Sequence, residues 1–92
     1  MKTNKEIFED FIYNGKHEPF TAKVKVVCDE FVGVFEFDNV EPSVSNGNVS
    51  DFICWDNNQI QIDFNSVVIE YPTDKSCIVH INGHTKVIIS WR

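Results

Sequence analysis

Ninety-two residues at 42% hydrophobic, eight of them phenylalanine, have the length and apolar content of a single packed domain spanning residues 1–92, and they exclude a disordered chain. No apolar run approaches the ~20 residues that span a bilayer, and the start, MKTNKEIFED, has charges where an export signal needs an apolar core, so a cytoplasmic protein without a membrane partner is expected. The net charge of −6 is unevenly spread: residues 26–74 hold ten acids and no Lys, Arg or His, which disfavours direct contact with nucleic acid there.

Thr3-Asn4-Lys5-Glu6 reads as a capping box, with Ile7, Phe8, Phe11 and Ile12 following at helical spacing and Asn14-Gly15 offering a stop. A helix over residues 4–14 is predicted. After Pro19 the period drops to two. Phe20, Ala22, Val24, Val26 and Cys28 make one apolar face, and Phe31, Gly33, Phe35 and Phe37 make the next. A two-residue Asp29-Glu30 connection would set Cys28 opposite Phe31, Val24 opposite Phe35 and Ala22 opposite Phe37.

Residues 39–48, rich in Asn and Ser, read as structureless. Val49, Ile53 and Trp55 then alternate, and Ile60, Ile62 and Phe64 follow an Asn57-Asn58 turn that pairs Trp55 with Ile60 and Ile53 with Ile62. Asp51 falls on that apolar face opposite Phe64, at a strand end. Val67 to Tyr71 form a further strand, and Cys77 to Ile81 and Thr85 to Trp91 are the last two, with apolar residues on both faces. About seven short antiparallel strands after one helix define a mainly β (α+β) chain, either a small curled sheet or an SH3/Sm-like barrel.

HINGH, residues 80–84, holds two histidines at zinc-binding helical spacing, but the β-branched flanks place it in a hairpin. A three-residue loop with Gly83 left-handed would pair His80 with His84 and collect Cys77, Val79, Thr85, Val87, Ile89 and Trp91 on one face. A zinc site needs three or four ligands, and His17 is far off in sequence, so no metal and no cofactor is assigned. Three widely spaced cysteines without a C-x-x-C pair fit reduced, buried thiols. No nucleophile, phosphate-loop or zinc-protease motif occurs, and no enzyme is expected.

GVFEFDN (33–39) and HINGHTKVII (80–89) loosely resemble the two motifs of the Sm-like RNA-binding barrels. The first stretch is a residue short, Asn82 stands where that family carries arginine, and the charge runs against RNA. The resemblance therefore assigns no membership.

The expected function is that of a small acidic interaction protein for a basic protein surface, without direct nucleic-acid contact. Its most concrete form is an inhibitor or decoy filling the nucleic-acid channel of an enzyme, as phage-encoded anti-defence proteins do. The residues singled out for partner binding are Asp29, Glu30, Glu36, Asp38, Glu41, Asp51, Phe52, Asp56 and Asp63. Two alternatives stand beside it: a self-associating barrel adaptor, a homo-oligomer with Ile88 and Trp91 near a free C-terminal edge, and a metal-binding protein using His80 and His84.

Overall fold

The helix forms as the capping box directs. In the computed structural model, which describes residues 1–13, 22–28 and 33–91, α1 (Asn4–Tyr13) begins where the Thr3 Oγ1 accepts the Glu6 N–H at 3.1 Å and the Glu6 carboxylate accepts the Thr3 N–H at 3.2 Å. Among the described residues eight strands follow: β1 (Ala22–Cys28), β2 (Gly33–Val40), β3 (Ser43–Asn46), β4 (Asp51–Trp55), β5 (Asn58–Ile62), β6 (Val68–Thr73), β7 (Ser76–His80) and β8 (Thr85–Ser90). They build two antiparallel sheets, one of five strands in the order β2-β1-β8-β7-β6 and one of three in the order β3-β4-β5. The chain is thus mainly β with a small N-terminal helix. Of the two expected forms the curled sheet is the one found: among the described residues no strand pairs across from one sheet to the other, so the sheets curl over one another without closing.

The core lies between the sheets. Val24, Cys77, Val79, Val87 and Ile89 from the larger sheet and Ile53, Trp55 and Ile62 from the smaller are buried, joined by Phe8 and Ile12 of the helix. The helix bridges one flank of the two sheets. Its Phe8 ring stacks on Phe64 at 5.5 Å, Phe11 on Tyr71 of β6 at 5.4 Å, and the Tyr13 hydroxyl accepts the Val44 N–H of β3. The Asn4 side chain donates to the Phe64 and Val67 carbonyls at 2.9 and 3.2 Å, tying the helix start to the segment before β6.

Four expectations need correction. β3 lies inside the stretch read as structureless, because an edge strand of Ser-Val-Ser-Asn turns only Val44 inward and shows no apolar period. The three hairpins keep their predicted faces but shift by two residues: Val26 pairs with Phe35, Trp55 with Asn58, and Cys77 with Ile89. A two-residue slip preserves which side chains face the core, so the apolar pattern does not detect it. The turn residue of β4–β5 is Asp56, at φ 52°, a left-handed conformation that Asp tolerates, in place of the expected Asn57-Asn58 pair. Finally, β8 is central rather than at an edge; Trp91 is buried, and Ile88 lies half-buried on the outer face between Lys25 and Ile78.

At its far end β2 carries a bulge. One extra residue between Phe37 and Val40 sits opposite the Ala22–Val24 step, with Asn39 at φ 55°. The bulge reverses the alternation, turning Val40 into the core, where it is 2% exposed.

Candidate binding groove

Among the described residues the flank opposite the helix is open. There β2 is the edge of the larger sheet and β5 an edge of the smaller. Phe37 reaches across to Trp55, ring centroids 5.6 Å apart, and holds the two sheets together at that point. Beyond this contact Val26, Phe35, Phe37, Trp55 and Ile60, with Asn58 and Gln59, line an apolar groove of about 210 Å³. Phe35 remains 57% exposed on its wall although it points to the core side of its sheet. Val34, on the other face of the same edge strand, is 56% exposed. A strand inside a sheet would be covered on both sides; β2 has one neighbour among the described residues, and its phenylalanine is left exposed.

Trp55 contributes a second feature. It is 3% exposed, and its indole N–H finds no acceptor among the described residues. A buried donor left unmatched costs about 1–3 kcal/mol.

The carboxylates predicted to bind a partner separate into groups. Glu36 lies between Lys23 and Lys25 at 3.5 and 3.8 Å on the outer face of the larger sheet. Asp51 is half-buried and pairs with Lys5 of the helix at 3.2 Å, which explains an acid on an inward-facing position of β4. Asp63 accepts the Asn65 N–H at 3.0 Å and the Ser66 hydroxyl at 2.8 Å, so it organises its own turn. Asp38, Glu41 and Asp56 are exposed and have no ion-pair partner among the described residues. Two of these three are chain neighbours of groove residues: Asp56 follows Trp55, and Asp38 follows Phe37 but shares the outer face of β2 with Glu36. Phe52 is half-buried on the outer face of the smaller sheet, packed over Gly47, where an added Cβ would lie 3.0 Å from its ring. Asp29 and Glu30 lie outside the described residues.

The groove was only partly visible in the sequence. Phe35 and Phe37 read as core residues of a hairpin, and nothing in the alternation says that their strand ends a sheet. The proximity of Trp55 depends on how two sheets pack, which no local pattern encodes.

Other hollows carry less chemistry. A polar cleft of about 410 Å³ between the Gly47–Ser50 loop and the Asp63 turn contains Asp51, whose Oδ1 holds Lys5, and Asp63, both of whose oxygens are engaged. At the β7–β8 tip, His80 pairs with Lys86 rather than His84, and its Nε2 is hydrogen-bonded to Glu70. The turn is built by Asn82, whose side-chain oxygen accepts the N–H groups of His84 and Thr85 at 2.7 and 2.9 Å. Gly83 is not in the left-handed region that the sequence led us to expect, because the Asx turn fixes the loop without it. Among the described residues no three His, Cys, Asp or Glu side chains gather as a metal site would require. No helix of the described residues is long and apolar enough to cross a membrane. The Cys77 thiol is pushed up to about 12, by burial above all and against a lowering backbone hydrogen bond from Ile89.

The chain matches no protein-family model, no curated protein and no solved structure. The class defined so far is an open two-sheet antiparallel protein with a helix on one flank and an apolar groove on the other.

Proposed function

We propose that the chain is a small acidic, non-enzymatic interaction protein that binds a basic surface of another protein. The observation that carries this reading is an exposed apolar groove with two carboxylates next to it in the chain, Asp56 after Trp55 and Asp38 on the outer face of β2, that have no ion-pair partner among the described residues. An apolar centre with a charged rim is the usual anatomy of a protein interface, and the sign of the rim selects a cationic partner. The 49 residues without a base between Lys25 and Lys75 add long-range attraction to the same sign of partner.

The nucleic-acid decoy is a narrower version of this reading. It needs carboxylates free to take the place of phosphates, and Glu36, Asp51 and Glu70 each hold a cationic or histidine partner within the molecule. The free set is therefore smaller than the sequence count.

Capture from native cell extract on the immobilised chain at low and high salt tests the proposal, with an Asp38→Asn/Glu41→Gln/Asp56→Asn variant as control. The expected result is retention of cationic proteins that weakens about tenfold or more at high salt and in the variant. Retention indifferent to both salt and variant would overturn the reading. Displacement of the captured protein by duplex DNA would support the decoy version.

A further inference from the structure

The groove lies beside an unusual strand edge, and the two together define a mode of binding. We infer that the free edge of β2 takes up an extended basic segment of the partner as an added strand, seating one apolar side chain of that segment between Phe35, Phe37 and Trp55. The inference rests on the reading above that the partner is basic, and it adds how the partner is held.

Backbone chemistry supplies the first argument. β2 runs eight residues, Gly33–Val40, the longest strand among those described, and it pairs only with β1. Its other edge has no strand partner among the described residues. A row of unpaired N–H and C=O groups on a regular strand is a template for one more strand. Residues 33–37 keep a regular ladder with β1, and the bulge at Asn39 ends it, so the usable edge is about 15–20 Å at ~3.4 Å per residue. A segment of five to six residues fills that length.

Side chains supply the second. Val34 and Phe35 are exposed on opposite faces of the same edge. A neighbouring strand would cover both at once, one face over the outer sheet surface and the other over the groove.

Charge decides the occupant. A second copy pairing edge to edge brings the same acids. A two-fold register centred on Glu36 sets Glu36 against Glu36, and one centred on Phe37 sets Glu36 against Asp38, with like charges directly opposed. Centring on Phe35 pairs the whole regular stretch 33–37 without direct opposition, but it sets the two Glu36 carboxylates diagonally on one face and brings together two chains of net charge −6. A segment that alternates Lys or Arg with apolar residues meets Asp38 just past the regular stretch, shares Glu36 with Lys23 and Lys25, and offers its apolar side chains to the groove on the other face. The geometry fits a basic extended segment better than a second copy.

The experiment uses the full chain, isotope-labelled for NMR, and two synthetic peptides, acetyl-KVKFKVK-amide and acetyl-EVEFEVE-amide. The lysine peptide is expected to protect β2 amides from hydrogen exchange and shift their resonances, while the glutamate peptide leaves them unchanged. Phe35→Ser and Asp38→Lys/Asp56→Lys, all at exposed positions, should each weaken the lysine peptide at least tenfold with an unaltered thermal midpoint. Lysine-peptide binding that shifts other strands and ignores Phe35→Ser overturns strand addition while the basic-partner reading stands. Equal binding of both peptides, or none of either, overturns both. A concentration-dependent dimer abolished by Phe35→Ser and untouched by the peptide overturns the inference in favour of a second copy.

Discussion

Cys77 sits in the middle of the sheet-to-sheet core at 0% exposure, with Tyr71 nearby on β6. Burial raises both groups, the thiol from 9.0 to about 12 and the phenol from 10.0 to about 12, the thiolate of Cys77 adding to the second shift. Each keeps its proton in the folded chain at a pH where the unfolded chain has released it. Their contribution to stability is therefore complete below pH ~9 and declines as pH rises toward ~12. The thermal midpoint should fall between pH 9 and 11, and fall less steeply in Cys77→Ala, which scanning calorimetry would show. A thiol reagent at pH 8 should likewise reach Cys77 only in denaturant. Trp55 behaves differently, because its buried N–H is itself a penalty. Trp55→Phe removes the unmatched donor along with some volume and should cost about 1 kcal/mol or less, whereas Trp55→Ala should cost about 3–5 kcal/mol in urea denaturation. A loss as large for phenylalanine as for alanine would mean that the indole N–H is satisfied.

The turns are where sequence and structure part, and two glycines measure the difference. Gly83 has open space around it and no left-handed backbone, since Asn82 closes the hairpin through its side chain. Gly83→Ala should be neutral or stabilise by up to about 1 kcal/mol by restricting the unfolded chain. Asn82→Ala should cost about 1 kcal/mol, because two turn N–H groups lose their acceptor. Gly47 is the opposite case: a Cβ there would meet the Ser50 carbonyl oxygen at 2.5 Å, so Gly47→Ala should cost about 1–3 kcal/mol. Chemical denaturation of the three variants checks the order. The helix was legible residue by residue, from the Thr3–Glu6 box to Ile12, because capping and the 3.6-residue period are local. The inward faces of β1, β4, β7 and β8 were legible for the same reason. Hairpin phase was not, since pairing Val26 with Phe35 or with Gly33 leaves the apolar face unchanged. Of the proposed site, the acids could be read from the chain, but the separation of bound Glu36, Asp51 and Asp63 from free Asp38, Glu41 and Asp56 depends on Lys5, Lys23, Lys25 and turn geometry in three dimensions.

At the scale of the molecule, two sheets share one core and are joined on one flank by α1. Phe8 is fully buried in that core against Phe64, so Phe8→Ala should cost about 3–5 kcal/mol, a large share of the ~5–15 kcal/mol available to a domain. Circular dichroism of that variant should show β structure and helix lost in one transition, since neither layer buries its apolar face alone. Separate melting of the helix with the sheets intact would show the flank to be dispensable. The larger sheet also has an order of assembly written into its connections. β1 is flanked by β2 and β8, and Cys28 meets Thr85 across 57 residues of chain. At a synthesis rate of about 5–20 residues per second, β1 waits roughly 3–11 s for its second neighbour while β4 and β5 already have each other. During that interval the nascent chain shows β1 and β2 as a hairpin whose two long edges pair with no other described strand, until β8 covers that of β1. If the proposed strand addition holds, an aggregation-suppressing chaperone and the basic segment would then compete for the same backbone before β8 is made.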